Sequence, residues 1–201
     1  MTPVRFDPKR IPNAHLPTRF GEFHIYGFEN EDDGEQAVAL VCGDLSLPDR
    51  VPLVRIHSQC LTGDTLHSLR CDCGDQLETA LRKMERYGAG VLIYQMQEGR
   101  GIGLINKLFA YVLQDQGIDT VDANLQLGFE ADSRTYDLCA AILNHLGVAR
   151  IRLMSNNPEK IRGLERAGIE VVERVPLQIQ ASTSSEKYLR TKKEKMGHLI
   201  D

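Results

Sequence analysis

Three of the chain's five cysteines fall within fifteen residues, Cys60-Leu-Thr-Gly-Asp-Thr-Leu-His-Ser-Leu-Arg-Cys71-Asp-Cys73-Gly74. Clustered cysteines in a chain without secretory features point to metal binding rather than to disulfides. Three thiolates on tetrahedral zinc leave one coordination position for water, the arrangement of a catalytic site. A closed structural site, completed by His57, His67 or a distant group, is the competing reading. Such sites usually carry paired cysteines at both ends, and that pattern is missing here. Cys42 and Cys139 stand among apolar residues and are expected as small core residues.

Other residues able to do chemistry lie on either side of this stretch. In an extended Val51–His57, Val54 and Ile56 face one way while Arg55 and His57 share the other face. That segment leads straight into Ser58-Gln59-Cys60, so a cation, an imidazole and a thiolate would line one surface. An exposed polar face is the bland alternative. Gln97-Glu-Gly-Arg-Gly-Ile-Gly103 follows an apolar strand and precedes a helix, the makings of an anion cradle at a helix N-terminus. Arg100 would add a bidentate charge contact. The spacing is neither the dinucleotide fingerprint nor a Walker loop. Tyr111 lies on the following helix, on the face of Leu104, Lys107 and Leu108, and reads from periodicity as a core tyrosine. Asp132 and Arg134 open a further helix, where capping by Asp132 is the default role. Ser155 and Lys160 flank the carboxyl end of a strand in a strand–helix–strand unit, where such folds bind ligands.

The elements that must position these residues follow from periodicity. Strands are expected at Gly21–Phe28, Ala37–Cys42, Val51–His57, Val91–Tyr94, Arg150–Met154 and Glu170–Val175. Helices are expected at Gly74–Tyr87, Leu104–Gln116, from Asp132 onward, and at Glu159–Ala167. The first of these places Cys71 and Cys73 at a helix N-terminus, which favours thiolate over thiol. Residues 1–15 read as a loose arm and 16–201 as a single domain. Residues 178–185 read as a polar loop and 186–199 as a basic helical tail. The chain has 201 residues, 42% of them hydrophobic, enough for a core that needs no staple. A formal net charge of −4 does not advertise nucleic acid or an anionic membrane. No apolar run approaches membrane-spanning length and no signal-peptide core is evident, so a cytoplasmic protein is expected.

With these residues in view, the chain resembles the GTP cyclohydrolase II family of riboflavin biosynthesis. The resemblance runs from about Leu16 to His198. It is carried by Arg55-Ile-His-Ser-Gln-Cys-Leu-Thr-Gly-Asp64, Leu69-Arg-Cys-Asp-Cys-Gly74, the Gln97–Gly103 turn, Ala110-Tyr-Val-Leu-Gln-Asp-Gln-Gly117 and Ser155-Asn-Asn-Pro158. It implies an α/β fold with a mixed β-sheet flanked by helices, and a zinc-dependent hydrolysis of GTP. The guanine imidazole ring would open with release of formate and pyrophosphate, giving 2,5-diamino-6-(5-phosphoribosylamino)pyrimidin-4(3H)-one. Cys60, Cys71 and Cys73 match the family's zinc ligands, one Zn²⁺ per subunit. Arg134 matches the arginine thought to attack the α-phosphate, Asp132 the proton acceptor beside it, and Tyr111 a tyrosine implicated in opening the base. Arg55, Ile56, His57, Ser58, Gln59, Gln76, Glu98, Gly99, Arg100, Thr120, Ser155 and Lys160 match positions that hold the nucleotide. Mg²⁺ would accompany the triphosphate, and a homodimer is implied. An arginine nucleophile needs a nearby carboxylate, because guanidinium loses its proton only above about pH 12.

Two positions depart from the family's pattern. Position 59 is usually Glu and here is Gln; position 96 is usually Arg and here is Met. One reading is the joint loss of an ion pair, since a buried charge left alone costs about 3–5 kcal/mol. Its rival is an altered paralogue that releases pyrophosphate and stops at the formamidopyrimidine. A non-catalytic nucleotide-sensing module is the reading from another class. A zinc nucleobase deaminase would need His-x-Glu with Pro-Cys-x-x-Cys, and neither occurs.

Overall fold

A computed structural model describes residues 4–177 apart from 48 and 131, and beyond them only Ile179, Glu194, Gly197 and Leu199. The chain divides into two compact units interleaved in sequence. One comprises Met1–His57, Leu77–Met96 and Thr135–Leu177; the other comprises Ser58–Gln76, Gln97–Arg134 and Gln178–Asp201.

The first unit is built on a seven-stranded sheet in the order β1-β2-β3-β5-β4-β6-β7. Strands β1 (Asn13–Thr18), β2 (Gly21–Glu29) and β3 (Gln36–Gly43) form an antiparallel meander, and β5 (Ala89–Gln95) pairs antiparallel with β3. Beyond β5, β4 (Leu53–Ser58), β6 (Arg150–Met154) and β7 (Glu170–Val175) run parallel. The sheet is therefore mixed and the protein α/β, as expected. Successive residues of β5 serve opposite faces: Val91 and Ile93 join one apolar cluster and Leu92 the other, the period of two that a doubly covered sheet demands. Leu138, Ile142 and Leu143 of α4 (Asp137–His145) and Leu164 of α5 (Pro158–Arg166) belong to the first cluster. Ala80, Leu81 and Met84 of α1 (Cys73–Tyr87) belong to the second. Gly88 takes a positive φ of 75° straight after α1, the left-handed stop that glycine allows. Pro158 opens α5, and the Asn157 side chain accepts from the Glu159 amide, so the Asn-Asn-Pro turn is a helix cap.

Three expectations change. Residues 4–11 are packed rather than loose: Val4, Phe6 and Ile11 lie against the first cluster, and the Phe6 ring meets Phe28 edge-on at 5.3 Å. β1 then begins at Asn13, inside the stretch read as an arm. Secondly, α4 starts at Asp137 with Tyr136 as its cap, so Asp132 caps no helix. Its carboxylate is engaged by Arg134 instead.

The second unit holds a single π-type turn at Leu61–Thr65, a 3-10 turn at Glu98–Gly101, α2 (Leu104–Asp115) and α3 (Thr120–Gln126). The third change is α3, which periodicity did not announce. Its seven residues start where the Asp119 side chain accepts from the amides of Val121 and Asp122, and a helix that short leaves little periodic signal. The loop expected at 178–185 and the tail at 186–199 lie outside the described residues, apart from isolated positions. Among the described residues no helix is long and apolar enough to cross a membrane.

Candidate active site

Cys60 ends the extended segment, Cys71 precedes α1 and Cys73 is its first residue. The π-type turn folds the intervening loop back so that the three sulfurs lie within 4.8 Å of one another. Cys60 Sγ and Cys71 Sγ are 3.7 Å apart. Sulfurs on a tetrahedral zinc with Zn–S bonds of about 2.3 Å stand about 3.75 Å apart, so the Cys60–Cys71 pair is at ligand spacing and the third sulfur lies close enough to join it. Among the described residues the group is Cys60, Cys71 and Cys73. Gly63 lines the cradle. A Cβ there would stand 2.8 Å from Cys71 Sγ and 3.2 Å from Cys60 Sγ. The packed sulfurs do not hold their protons equally. Hydrogen bonds from Cys71 and Cys73, with the Lys107 charge adding, hold Cys60 far below the usual thiol range. Its bond to that sulfur pushes Cys71 up to about 11.

Around the sulfurs stands a ring of polar side chains from the same unit. The Cys60 amide donates to Asp64 Oδ2 at 2.9 Å, and Thr62 Oγ1 lies 3.6 Å from Cys60 Sγ. Thr62 also meets the Tyr111 hydroxyl at 3.1 Å. Lys107 Nζ reaches Cys60 Sγ at 3.1 Å and Glu98 Oε1 at 2.8 Å. Tyr111 is thus no plain core tyrosine. Burial raises its pKa, and the Thr62 bond and Lys107 charge only partly offset this. Leu108, assigned by periodicity to the same face, is exposed instead.

The glycine-rich turn adopts left-handed geometry twice in succession, at Gly99 (φ 64°) and Arg100 (φ 64°). Arginine tolerates this at a cost of about 1–2 kcal/mol, and the surroundings hold it. Arg100's carbonyl accepts from the Ser133 amide at 3.1 Å. Glu98 is buried, and its carboxylate accepts from the amides of Leu61 (2.7 Å) and Gly99 (2.9 Å) as well as from Lys107. The Glu98 side chain is thus committed to contacts within the protein. Beside Ser133, Arg134 forks onto Asp132 and directs Nη1 toward Ser58 Oγ at 3.3 Å. Burial alone would raise the Asp132 pKa, but the Arg134 contacts, helped by the Arg100 charge, bring it below the usual carboxylate value. Gln76 donates to Asp72, and Thr120 is the first residue of α3.

In the sheet unit, Arg55 and His57 are both buried, so the bland reading of an exposed polar face fails. Arg55 Nη1 donates to the Met154 carbonyl at 3.0 Å, and the His57 ring stacks on Tyr94 at 5.5 Å. Lys160, also buried, donates to the Ile56 carbonyl at 2.8 Å and lies 5.9 Å from the Tyr136 ring. Ser155 Oγ accepts from the Asn157 amide at 3.1 Å. Gln59 is half-buried and Met96 is 45% exposed. A charge at 96 would therefore be solvated, and the reasoning that a lone arginine there would be a buried, unpaired charge does not apply.

Sequence reasoning passed over Thr62 and Lys107. The available signal was a lysine one turn before Tyr111 on the inward face of α2, where a cation is not expected without a partner.

An α/β sheet unit and a second unit gathering three thiols about one point define an α/β protein with the donor set of a transition-metal centre. The GTP cyclohydrolase II family model matches residues 9–176. A GTP cyclohydrolase-2 of Proteus mirabilis is 57% identical over 192 residues, covering 96% of both chains. A GTP cyclohydrolase-2 of Haemophilus influenzae is 56% identical over 190 residues, 94% of this chain and 88% of its own. A riboflavin biosynthesis protein (RibBA) of Chlorobium phaeovibrioides is 56% identical over 96% of this chain, which spans 47% of that longer protein. A solved two-domain 3,4-dihydroxy-2-butanone 4-phosphate synthase from A. baumannii aligns over 72% of this chain and 33% of its own with a TM-score of 0.41 and 17% identity, too low to bear on the fold. The chain belongs to the GTP cyclohydrolase II family.

Proposed function

We propose that the chain hydrolyses GTP, opening the guanine imidazole ring and releasing formate and pyrophosphate to give 2,5-diamino-6-(5-phosphoribosylamino)pyrimidin-4(3H)-one. The observation that carries this is three thiols gathered within 4.8 Å of one another in the same unit as the Asp132–Arg134 fork and the Tyr111 hydroxyl. Cys60, Cys71 and Cys73 would hold one Zn²⁺, which when bound supplies a Lewis acid that makes water nucleophilic near neutral pH. Asp132 takes the guanidinium proton of Arg134 as that side chain's nitrogen attacks the α-phosphorus. An N–P bond forms as the P–O bond to pyrophosphate breaks. The fork holds the guanidinium in one orientation, and Ser58 fixes a third nitrogen. Tyr111, its hydroxyl positioned by Thr62, is assigned to the base-opening step.

Nucleotide contacts are assigned in the helical unit to Ser58, Gln59, Gln76, Glu98, Gly99, Arg100 and Thr120. In the sheet unit they are assigned to Arg55, Ile56, His57, Ser155 and Lys160. Mg²⁺ would accompany the triphosphate. A cytoplasmic homodimer is the proposed assembly. Ile105, Leu108, Phe109 and Val112 are all exposed on α2, an apolar i, i+3, i+4, i+7 stripe of the kind that another protein surface covers.

The test is incubation with GTP and Mg²⁺, with and without a zinc chelator, following formate and pyrophosphate separately. Both products, with formate lost on chelation, support the full reaction. Pyrophosphate without formate would point to the paralogue that stops at the formamidopyrimidine. Neither product would favour the sensing module.

A further inference from the structure

We propose that Lys107 is a positioning residue that directs the Cys60 sulfur and tempers its electron donation, and that Glu98 holds it in place. The inference rests on the three-thiolate metal reading. Lys107 Nζ lies 3.1 Å from Cys60 Sγ and 2.8 Å from Glu98 Oε1, with the two side chains only 12% and 8% exposed. A buried ammonium needs its carboxylate, and Glu98 satisfies that need. The carboxylate alone does not require the ammonium to point at a sulfur as well.

Three thiolates on a divalent cation leave the centre with one net negative charge in a largely desolvated place. With Glu98 counted the group still carries that one negative charge, but an ammonium within hydrogen-bond reach of a ligand sulfur stabilises it at that sulfur. An N–H···S bond also withdraws electron density from that sulfur, making it a weaker donor and a weaker nucleophile. The other contacts of Glu98 extend the effect. Its Oε2 accepts from Leu61, the residue after Cys60, and its Oε1 from Gly99 in the left-handed turn. One carboxylate therefore ties together the ammonium, the residue that follows the first proposed ligand and the glycine-rich turn. Lys107 acts through Cys60 and is assigned no contact with substrate.

The test uses the full chain loaded with cobalt(II) or zinc. In Lys107→Met the thiolate-to-cobalt charge-transfer band should move to longer wavelength, because a sulfur relieved of the ammonium gives up electrons more readily. Iodoacetamide should modify Cys60 of the zinc-loaded variant about ten-fold faster than in the parent. Lys107→Arg keeps a cationic donor and should restore most of both readouts. Should Lys107→Met fail to fold, Lys107→Gln keeps a donor without the charge and should still show the band shift. A purely structural lysine predicts an unchanged band and unchanged alkylation rate in any variant that folds, and that result overturns the proposal. A parent protein that takes up neither metal would instead remove the metal reading, and this inference with it.

Discussion

Arg134 grips Asp132 through two parallel contacts: Nε lies 2.8 Å from Oδ1 and Nη2 lies 2.5 Å from Oδ2. The Arg134 amide also donates to Oδ1 at 3.1 Å. One carboxylate thus accepts three hydrogen bonds from a residue two positions away. The fork orients the guanidinium and stabilises its charge, so it opposes the deprotonation that an arginine nucleophile needs. The two demands meet only if the proton moves as the bond to phosphorus forms.

Asp132→Asn tests that coupling. The amide keeps the shape and part of the hydrogen bonding but is a poor proton acceptor. Pyrophosphate release should fall by at least about a hundred-fold, in the range that a lost general base costs. Stability should fall by about 2 kcal/mol, as expected when hydrogen bonds to a charged group are lost. Single-turnover pyrophosphate release and urea unfolding measure the two effects. Full pyrophosphate release from a well-folded variant would show that the carboxylate is not the acceptor.

The same pair makes a statement about pH. The Asp132 pKa is lowered in the fold, so its contribution to stability is present above the unfolded value of about 3.9 and is lost as pH falls through the lower folded value. Between pH 5 and 8 the pair stays ionised and contributes no slope. The stability gap between the parent and Asp132→Asn should therefore be constant across that range and shrink below about pH 4. Denaturant unfolding of both proteins over the acid range checks it. A gap that changed near neutrality would mean that the carboxylate titrates there.

Much of this was legible in the sequence, for identifiable reasons. Strands β2–β7 and helices α1, α2 and α5 carry strong periodicity or terminal signals such as Gly88 and Asn157-Pro158. The cysteine cluster could be read because few other chemistries use three thiols so close together. Packing contacts that cross long stretches of chain could not be read. Phe6 finds Phe28 and His145 only after folding, so the N-terminal residues passed for a loose arm. The role of Asp132 was mistaken for the same reason in miniature: a carboxylate before a helix looks like a cap until the helix is seen to start five residues later. The contact of Lys107 with Cys60 spans 47 positions, and no local pattern encodes it.

The exposed stripe on α2 predicts a change of assembly on substitution. Phe109 is 57% exposed and Ile105 64% exposed, so neither is needed for the core. Phe109→Glu should leave thermal stability of the isolated subunit within about 0.5 kcal/mol, the usual range for surface changes. If a second copy covers the stripe, the variant should sediment as a monomer at concentrations where the parent is a dimer. An unchanged sedimentation coefficient would place the contact between copies elsewhere.

Gly63 carries the sharpest prediction about the metal. A methyl group there would press on Cys71 Sγ at 2.8 Å and on Cys73 Cβ at 3.0 Å, as well as on Cys60 Sγ. The first distance is shorter than real carbon contacts allow and the other two are tight, so the cradle must shift, and Cys71 Sγ is the atom pressed hardest. Sulfurs held off ligand spacing bind zinc less well, since the site depends on three donors meeting one ion. The sheet unit contains no part of this loop, so Gly63→Ala should still fold. We expect zinc content by elemental analysis to fall from about one per chain to well below half, with free thiols rising by up to three. Formate release should fall in step with the zinc. Full zinc content in Gly63→Ala would show that the cradle can open to admit a side chain, and that the tight approach of residue 63 does not govern metal binding.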